Sequence, residues 1–208
     1  MPADKILTIE IFTDYVCPWC YLSSAAVDKI QQHYPVNFQW IPFPLHPETP
    51  EQGLSLSDLF QGRNMDAVHQ QLQSRMDEAG LEYGERTMTY NSRLAQELAQ
   101  WADTQEGGEA IHQALYRAYF VHNQNLADSQ VLINIVKDLS LNEAAATQVL
   151  QERSFSEAVD EAWDRARAYQ VTGVPCFIAN NYMLAGCQPY EELEKFVQFL
   201  LKPTEPED

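Results

Sequence analysis

Ile6-Leu7-Thr8-Ile9-Glu10-Ile11-Phe12-Thr13-Asp14-Tyr15-Val16-Cys17-Pro18-Trp19-Cys20 decides the architecture. Its first half alternates apolar and polar residues, the period of a half-buried strand, and predicts a strand over 6–13. A C-x-x-C follows at once, and Leu22, Ala26 and Ile30 then recur at helical spacing, so a helix is expected over 18–33. Pro18 fits the first helical turn, where its missing N–H costs nothing. A two-residue spacer lets both sulfurs close a small disulfide ring. At a helix N-terminus the first sulfur meets unpaired N–H groups and the positive end of the dipole, which favours thiolate. Cys17 is therefore expected as the exposed nucleophile. Cys20, one turn further in, is the more buried thiol that resolves a mixed disulfide. Pro18 and Trp19 tune the pair.

Outward from this segment, Tyr34-Pro35 stops the helix, and Val36, Phe38 and Trp40 alternate with polar residues as a second strand. Pro42, Pro44, Pro47 and Pro50 open a loop. From Leu54 to about Gln170 the period becomes 3.6. Apolar stripes run through Met65–Ala79, Leu94–Trp101, Ile111–Tyr119, Leu132–Leu139 and Phe155–Ala166, the last behind a capping box of Ser154 and Glu157. No strand signal interrupts this block. Val174–Ala179 then reads as a strand, Asn180-Asn181 as a hairpin turn because Asn tolerates positive φ, and Tyr182–Ala185 as the returning strand. Pro189 opens a last helix, and 204–208 form a tail. The expected units are 1–50 (β-α-β with the C-x-x-C), an inserted α-helical domain over 51–170, the β-β-α second half over 171–203, and the tail. Without the insert, the remaining elements make one mixed sheet with helices on it.

The chain has 208 residues, 45% of them hydrophobic, and carries 13 Lys and Arg against 30 Asp and Glu, a net charge of −17. That composition is globular, and the charge repels nucleic acid and anionic membranes. No apolar run reaches the length of a membrane span. Met1–Lys5 lacks the pattern of a signal peptide, so a reducing, cytoplasmic setting is expected. In that setting a C-x-x-C beside a βαβ pattern points to redox chemistry. The rival reading of Cys17 and Cys20 as half of a zinc site needs a second close pair. Cys176 and Cys187, ten residues apart across the hairpin, fit it poorly, and no metal is expected.

Gly173-Val174-Pro175 opens the third strand. A cis bond before Pro175 would turn the Val174 backbone towards Cys17, where it can pair with a substrate strand. Three readings of Cys176 stand: a small buried hydrophobe, a thiol near Cys17, or one half of a second redox pair with Cys187. The hairpin register sets Cys176 opposite Ala185. Of the histidines, His33, His69, His112 and His122 fall in helical stretches and read as surface or satisfied residues. His46 lies in the proline-rich loop, near enough to the site in this reading to stabilise a Cys17 thiolate.

Together, Asp14–Tyr21, Phe43-Pro44-Leu45-His46-Pro47-Glu48-Thr49-Pro50-Glu51-Gln52-Gly53, Tyr90-Asn91-Ser92-Arg93-Leu94-Ala95, Ala114–Phe120 and Thr172-Gly173-Val174-Pro175 resemble the DsbA family, in particular its FrnE-like branch. The resemblance covers nearly the whole chain. It implies an α/β protein: a thioredoxin fold with a mixed sheet, interrupted by a large all-α insertion. It implies thiol–disulfide oxidoreductase chemistry with Cys17 attacking and Cys20 resolving, a cis bond before Pro175, and kinship with 2-hydroxychromene-2-carboxylate isomerases and kappa-class glutathione transferases. By the same resemblance Asn91 borders the cleft as a substrate-binding residue. The chain departs from the pattern at Cys176, Cys187 and His46. Ile11 stands where many thioredoxin-fold proteins carry a buried acid, so the proton of Cys20 must use water or another group.

The function expected is disulfide exchange with protein or small-molecule thiols through Cys17-Pro18-Trp19-Cys20. No cofactor is bound, and glutathione or another thiol serves as co-substrate. Two alternatives share the scaffold: a glutathione-dependent isomerase or transferase, and a holdase-type chaperone using the groove between the two units.

Overall fold

The computed structural model describes residues 6–202. The expected tail at 204–208 lies outside the described residues. Strand β1 (Leu7–Thr13) runs into helix α1 (Pro18–His33), which crosses back to β2 (Val36–Pro42). β1 and β2 pair in parallel, Leu7 opposite Val36 through Thr13 opposite Pro42. The block that follows holds β3 (Leu54–Ser55), α2 (Leu56–Leu59), α3 (Met65–Ala79), β4 (Met88–Thr89), α4 (Arg93–Ala102), α5 (Ile111–Phe120), α6 (Ser129–Asp138), α7 (Glu143–Glu152) and α8 (Ser156–Ala168). The chain then returns to the sheet with β5 (Cys176–Ala179) and β6 (Tyr182–Ala185) and ends in α9 (Tyr190–Leu201). The main sheet has the order β2-β1-β5-β6, with β5 antiparallel to both its neighbours. This is the mixed sheet with a large helical insertion that the sequence pattern predicts.

Strand alternation divides the sheet into two buried faces. Ile9, Ile11, Phe38 and Phe177 face Val27 and Ile30 of α1 and Leu193 and Val197 of α9. Phe12, Ile41, Cys176 and Ile178 face Ala162 and Ala166 of α8. Glu10, on that second face, is matched by Arg165 of α8 at 2.6 Å. Helix α8, which belongs to the helical block by its period, thus also forms the second cover of the sheet. A third core joins block to sheet. Tyr21 of α1 stacks flat on Phe120 at 5.2 Å and packs on Tyr116 at 5.7 Å. The Tyr21 hydroxyl donates to the Glu82 carbonyl at 2.9 Å.

Several local readings need correction. The block is not free of strands: β3 and β4 form an antiparallel ladder, Leu54 opposite Thr89. Two residues per strand are too few to leave a period of two in the sequence. Helix α7 escapes the stripe pattern because its alanine-rich sequence carries few large apolar residues; the Asn142 side chain caps it by accepting from Ala145 N–H. The capping box at Ser154 does not form. Phe155 is the N-cap of α8 and makes no side-chain bond there, while Ser154 N–H closes on Val149 carbonyl at the end of α7. The hairpin turn is as expected, with positive φ of 48° at Asn180 and 65° at Asn181. Among the described residues, no helix is long and apolar enough to cross a membrane.

Candidate active site

The site is built where β1 ends and α1 begins. Cys17 is the N-cap of α1 in an extended conformation, Pro18 follows in the first turn, and the Cys17 carbonyl accepts from Cys20 and Tyr21 N–H at 3.1 and 3.2 Å. Its side chain caps nothing. Instead the Cys17 thiol donates to the Val174 carbonyl at 3.6 Å. The Val174–Pro175 bond is cis. The Pro175 carbonyl, in turn, accepts from Gly186 N–H at 2.8 Å, which pins the loop to the end of β6.

Cys17 is not exposed: it is 3% accessible, and Cys20 1%. The Val174 segment covers Cys17 from one side, and the aromatic core under the helical block closes the other. Burial pushes the Cys20 thiol well above its usual range, and the Cys17 thiol beside it pushes further. The Thr13 hydroxyl and the Asp14 amide act the other way. Cys20 is thus held protonated in its resting environment. Trp19 lies at the rim, with the Arg75 guanidinium over its ring at 5.6 Å.

Asp14 is a central residue to which the sequence reading gave no role. It is fully buried, and burial raises its carboxyl to about 6 against the opposing hydrogen bonds. One oxygen accepts from Val16 N–H at 3.2 Å; the other accepts from Leu45 N–H at 3.1 Å and Gln96 Nε2 at 3.2 Å. Its backbone carbonyl accepts from Cys17 N–H at 3.1 Å. One side chain therefore ties the Cys17 turn to the proline-rich loop and to α4. The available signal was a carboxylate three residues before the first cysteine, in a segment whose neighbours are apolar.

The other predicted residues are placed as follows. Asn91 spends its amide on the backbone, donating to Pro47 and Thr49 carbonyls at 3.1 and 2.8 Å, and accepts from Arg93 N–H at 2.9 Å; it fixes the loop to the start of α4. His46 sits 3.9 Å from Glu48 with Phe60 edge-on, and burial lowers its pKa. No contact joins it to Cys17 among the described residues. Cys176 does lie opposite Ala185, and also opposite Phe12, so alternation turns its thiol to the α8 face, away from α1. Burial pushes that thiol up to about 11. Cys187 lies beyond β6 on the α1 side, in a cavity of about 420 Å³ shared with Leu22 and Arg75. The two are separate free thiols on opposite sides of the sheet.

His112 is buried, yet it does more than fill a helix face. Its Nδ1 meets the Tyr15 hydroxyl and its Nε2 the Asp103 carboxylate, each at 2.8 Å. Tyr15 packs on Tyr116 with ring centroids 5.2 Å apart, and the Tyr116 hydroxyl is bonded to Thr13 Oγ1.

A family model described as a DSBA-like thioredoxin domain matches residues 8–198. The chain is 23% identical over 192 residues to the uncharacterized protein YwbO of Bacillus subtilis, covering 91% of this chain and 94% of that one. The Streptomyces coelicolor structure described as "probable DsbA oxidoreductase SCO1869" superposes with a TM-score of 0.86 at 23% identity, over 97% of this chain and 94% of its own. A 2-hydroxychromene-2-carboxylate isomerase superposes with a TM-score of 0.76 at 17% identity, over 93% and 96% of the two chains. These structural likenesses establish a shared fold.

Proposed function

The chain belongs to the DSBA-like thioredoxin domain family, and from that premise we propose that it exchanges disulfides through Cys17 and Cys20. The observation that carries the reading is the Cys17 thiol at the N-cap of α1, 3.6 Å from the Val174 carbonyl across a cis Val174–Pro175 bond. A Cys17 thiolate attacks one sulfur of a substrate disulfide and the other leaves as thiolate. Cys20, deprotonated, then attacks Cys17 Sγ, releases the second substrate thiol and leaves a Cys17–Cys20 disulfide. The reverse sequence donates a disulfide. The carbonyl of Val174, once Cys17 ionises, is free to accept from a substrate backbone N–H as an added strand. The chemistry needs no bound cofactor. Substrates are thiol or disulfide groups of proteins or small molecules, with glutathione as a co-substrate, in a cytoplasmic setting.

The test is a thiol-trapping titration in glutathione buffers with every disulfide mapped. The expected outcome is a reversible Cys17–Cys20 couple between about −270 and −120 mV, the range of thioredoxin-fold catalysts. Cys17→Ser abolishes insulin reduction, and Cys20→Ser accumulates a mixed disulfide at Cys17. Full turnover by Cys20→Ser would instead move the glutathione-dependent isomerase or transferase reading to the front. Aggregation suppression that survives loss of both cysteines would favour the holdase reading.

A further inference from the structure

The segment between α3 and β4 carries a part-buried cation that no acid meets. Arg86 sits over the rings of Tyr119 and Phe120, 5.2 and 4.9 Å from their centroids. Its Nη1 donates to the Tyr119 hydroxyl at 2.8 Å and its Nε to the Tyr83 hydroxyl at 3.4 Å. The Tyr119 hydroxyl donates in turn to the Met88 carbonyl at 3.0 Å, which leaves its lone pairs to Arg86 and fixes the guanidinium in place. Among the described residues, Nη2 has no hydrogen-bond partner and no carboxylate pairs with Arg86. Arg93, also part-buried, differs: Glu97 and Asp160 each meet it at 2.7 Å. Burial works against the charge of Arg86, while Tyr119 and Tyr83 offset it and hold its pKa above the ordinary value. A charge taken out of water is ordinarily met by an opposite one. The guanidinium also lines a cavity of about 420 Å³ between α2, α3 and residues 83–87, a size suited to a small molecule. Met65, Val68 and Leu72 of α3 give it an apolar wall. His69 stacks on Tyr83 at 5.4 Å beside that wall. Asp66 and Glu85 stand on its exposed rim. Cys17, Trp19, Cys20 and Val174 do not line it, so it is separate from the thiol site.

We propose that this cavity binds a small aliphatic monocarboxylate, with its carboxylate on Arg86 and its chain along the α3 wall. The carboxylate completes the guanidinium with charge-assisted hydrogen bonds that neutral tyrosines cannot supply. Tyr119 and the two aromatic rings already hold the guanidinium, so the ligand meets a donor that needs no further ordering. Asp66 and Glu85 limit the charge of the ligand. A single carboxylate is drawn to Arg86, whereas a compact, multiply charged anion such as phosphate is repelled from the rim. Met65, Val68 and Leu72 set the other requirement, since a charged group without an apolar body leaves their surface in water. Binding is non-covalent and independent of the chemistry at Cys17 and Cys20.

The experiment titrates hexanoate into the full chain and follows the methyl NMR signals of Met65 and Leu72. The expected result is that both signals move and saturate together, with one dissociation constant on the order of 1 mM for a ligand of this size. Hexanamide keeps the shape and removes the charge, and should bind at least about tenfold more weakly. Arg86→Gln should weaken hexanoate to the level of hexanamide. That variant also loses the contacts with the aromatic rings, so a second one leaves Arg86 in place. Val68→Phe fills the cavity from α3 and should abolish hexanoate binding while the near-UV circular dichroism stays that of the parent. The comparison of hexanoate with hexanamide in the parent decides the role of charge without any variant. No saturation by about 20 mM hexanoate, equal affinity for hexanamide, or undiminished binding by Val68→Phe overturns the proposal. Inorganic phosphate that binds more tightly than hexanoate overturns it too, since the site would then suit a compact, multiply charged anion.

Discussion

Asp14 sets burial against hydrogen bonding: desolvation raises its carboxyl to about 6 while Ser92, Leu45 and Val16 pull it down. A carboxyl whose folded pKa lies above its unfolded value near 3.8 binds its proton more tightly in the folded state. Its contribution to stability is therefore complete below about pH 4 and is lost as pH rises through 6, a change on the order of 3 kcal/mol. A carboxyl carbon titration by NMR is expected to give Asp14 a midpoint near 6; a midpoint near 4 would show that the hydrogen bonds outweigh burial. Cys176 is a second single-residue case. With its thiol near 11 and packed against Phe12 and Ile178, it should resist iodoacetamide in the native protein, while mass mapping finds Cys17 alkylated. Modification of Cys176 ahead of Cys17 would contradict this placement.

Between elements, the junction of α4, α7 and α8 is held by charge taken out of water. Glu97 is completely buried and is met by Arg93 Nε and by Arg153 Nε, each at 2.7 Å. Arg93 also reaches Asp160 and the Ser156 carbonyl at 2.7 Å and lies over the Trp163 ring at 4.7 Å. Arg93→Ala leaves both Glu97 oxygens bonded to Arg153 alone, and the lost charge-assisted bonds are expected to cost about 1.5–3 kcal/mol in urea unfolding. Arg93→Lys recovers only part of that, since one ammonium cannot serve three acceptors in the guanidinium's planar fork. A loss of under about 1 kcal/mol for Arg93→Ala would place the pair among the weak surface bridges. The turn between α4 and α5 is tighter still. A Cβ at Gly108 would stand 1.7 Å from the Ala102 carbonyl oxygen, so Gly108→Ala must move backbone. Its expected cost is about 1–3 kcal/mol, read as a lower thermal midpoint with the fold retained.

Across the whole molecule, 30 acidic residues oppose only 13 basic ones. The excess negative charge repels itself in the compact state, and added salt screens it. The thermal midpoint should therefore rise between low salt and about 0.5 M sodium chloride, by about 2–4 °C for each kcal/mol of repulsion removed. A midpoint that falls would mean that the ion pairs of the α4–α7–α8 junction outweigh the general repulsion. The same scale sets the surroundings of Cys17 and Cys20 within one sheet and one helical block. The sheet presents Cys17 and the Val174 carbonyl together, and the aromatic core of α1 and α5 isolates Cys20 from water.

What could be read from the chain alone was whatever depends on near neighbours in sequence. The strand before Cys17, the helix Pro18–His33, the Asn180-Asn181 turn and the opposition of Cys176 to Ala185 all follow from local period and turn chemistry. Motif order added the family and singled out Cys17 and Cys20. Tertiary structure decided the rest, because burial and partnership are set by residues far apart in the chain. It buried Cys17 under a loop 157 residues away. It turned Cys176 to the opposite face from Cys187, gave Asp14 partners at Leu45 and Gln96, and joined Tyr15 to His112 across 97 residues of sequence. No periodicity records such pairings: a buried polar side chain and an exposed one have the same one-letter code until the packing around them is known.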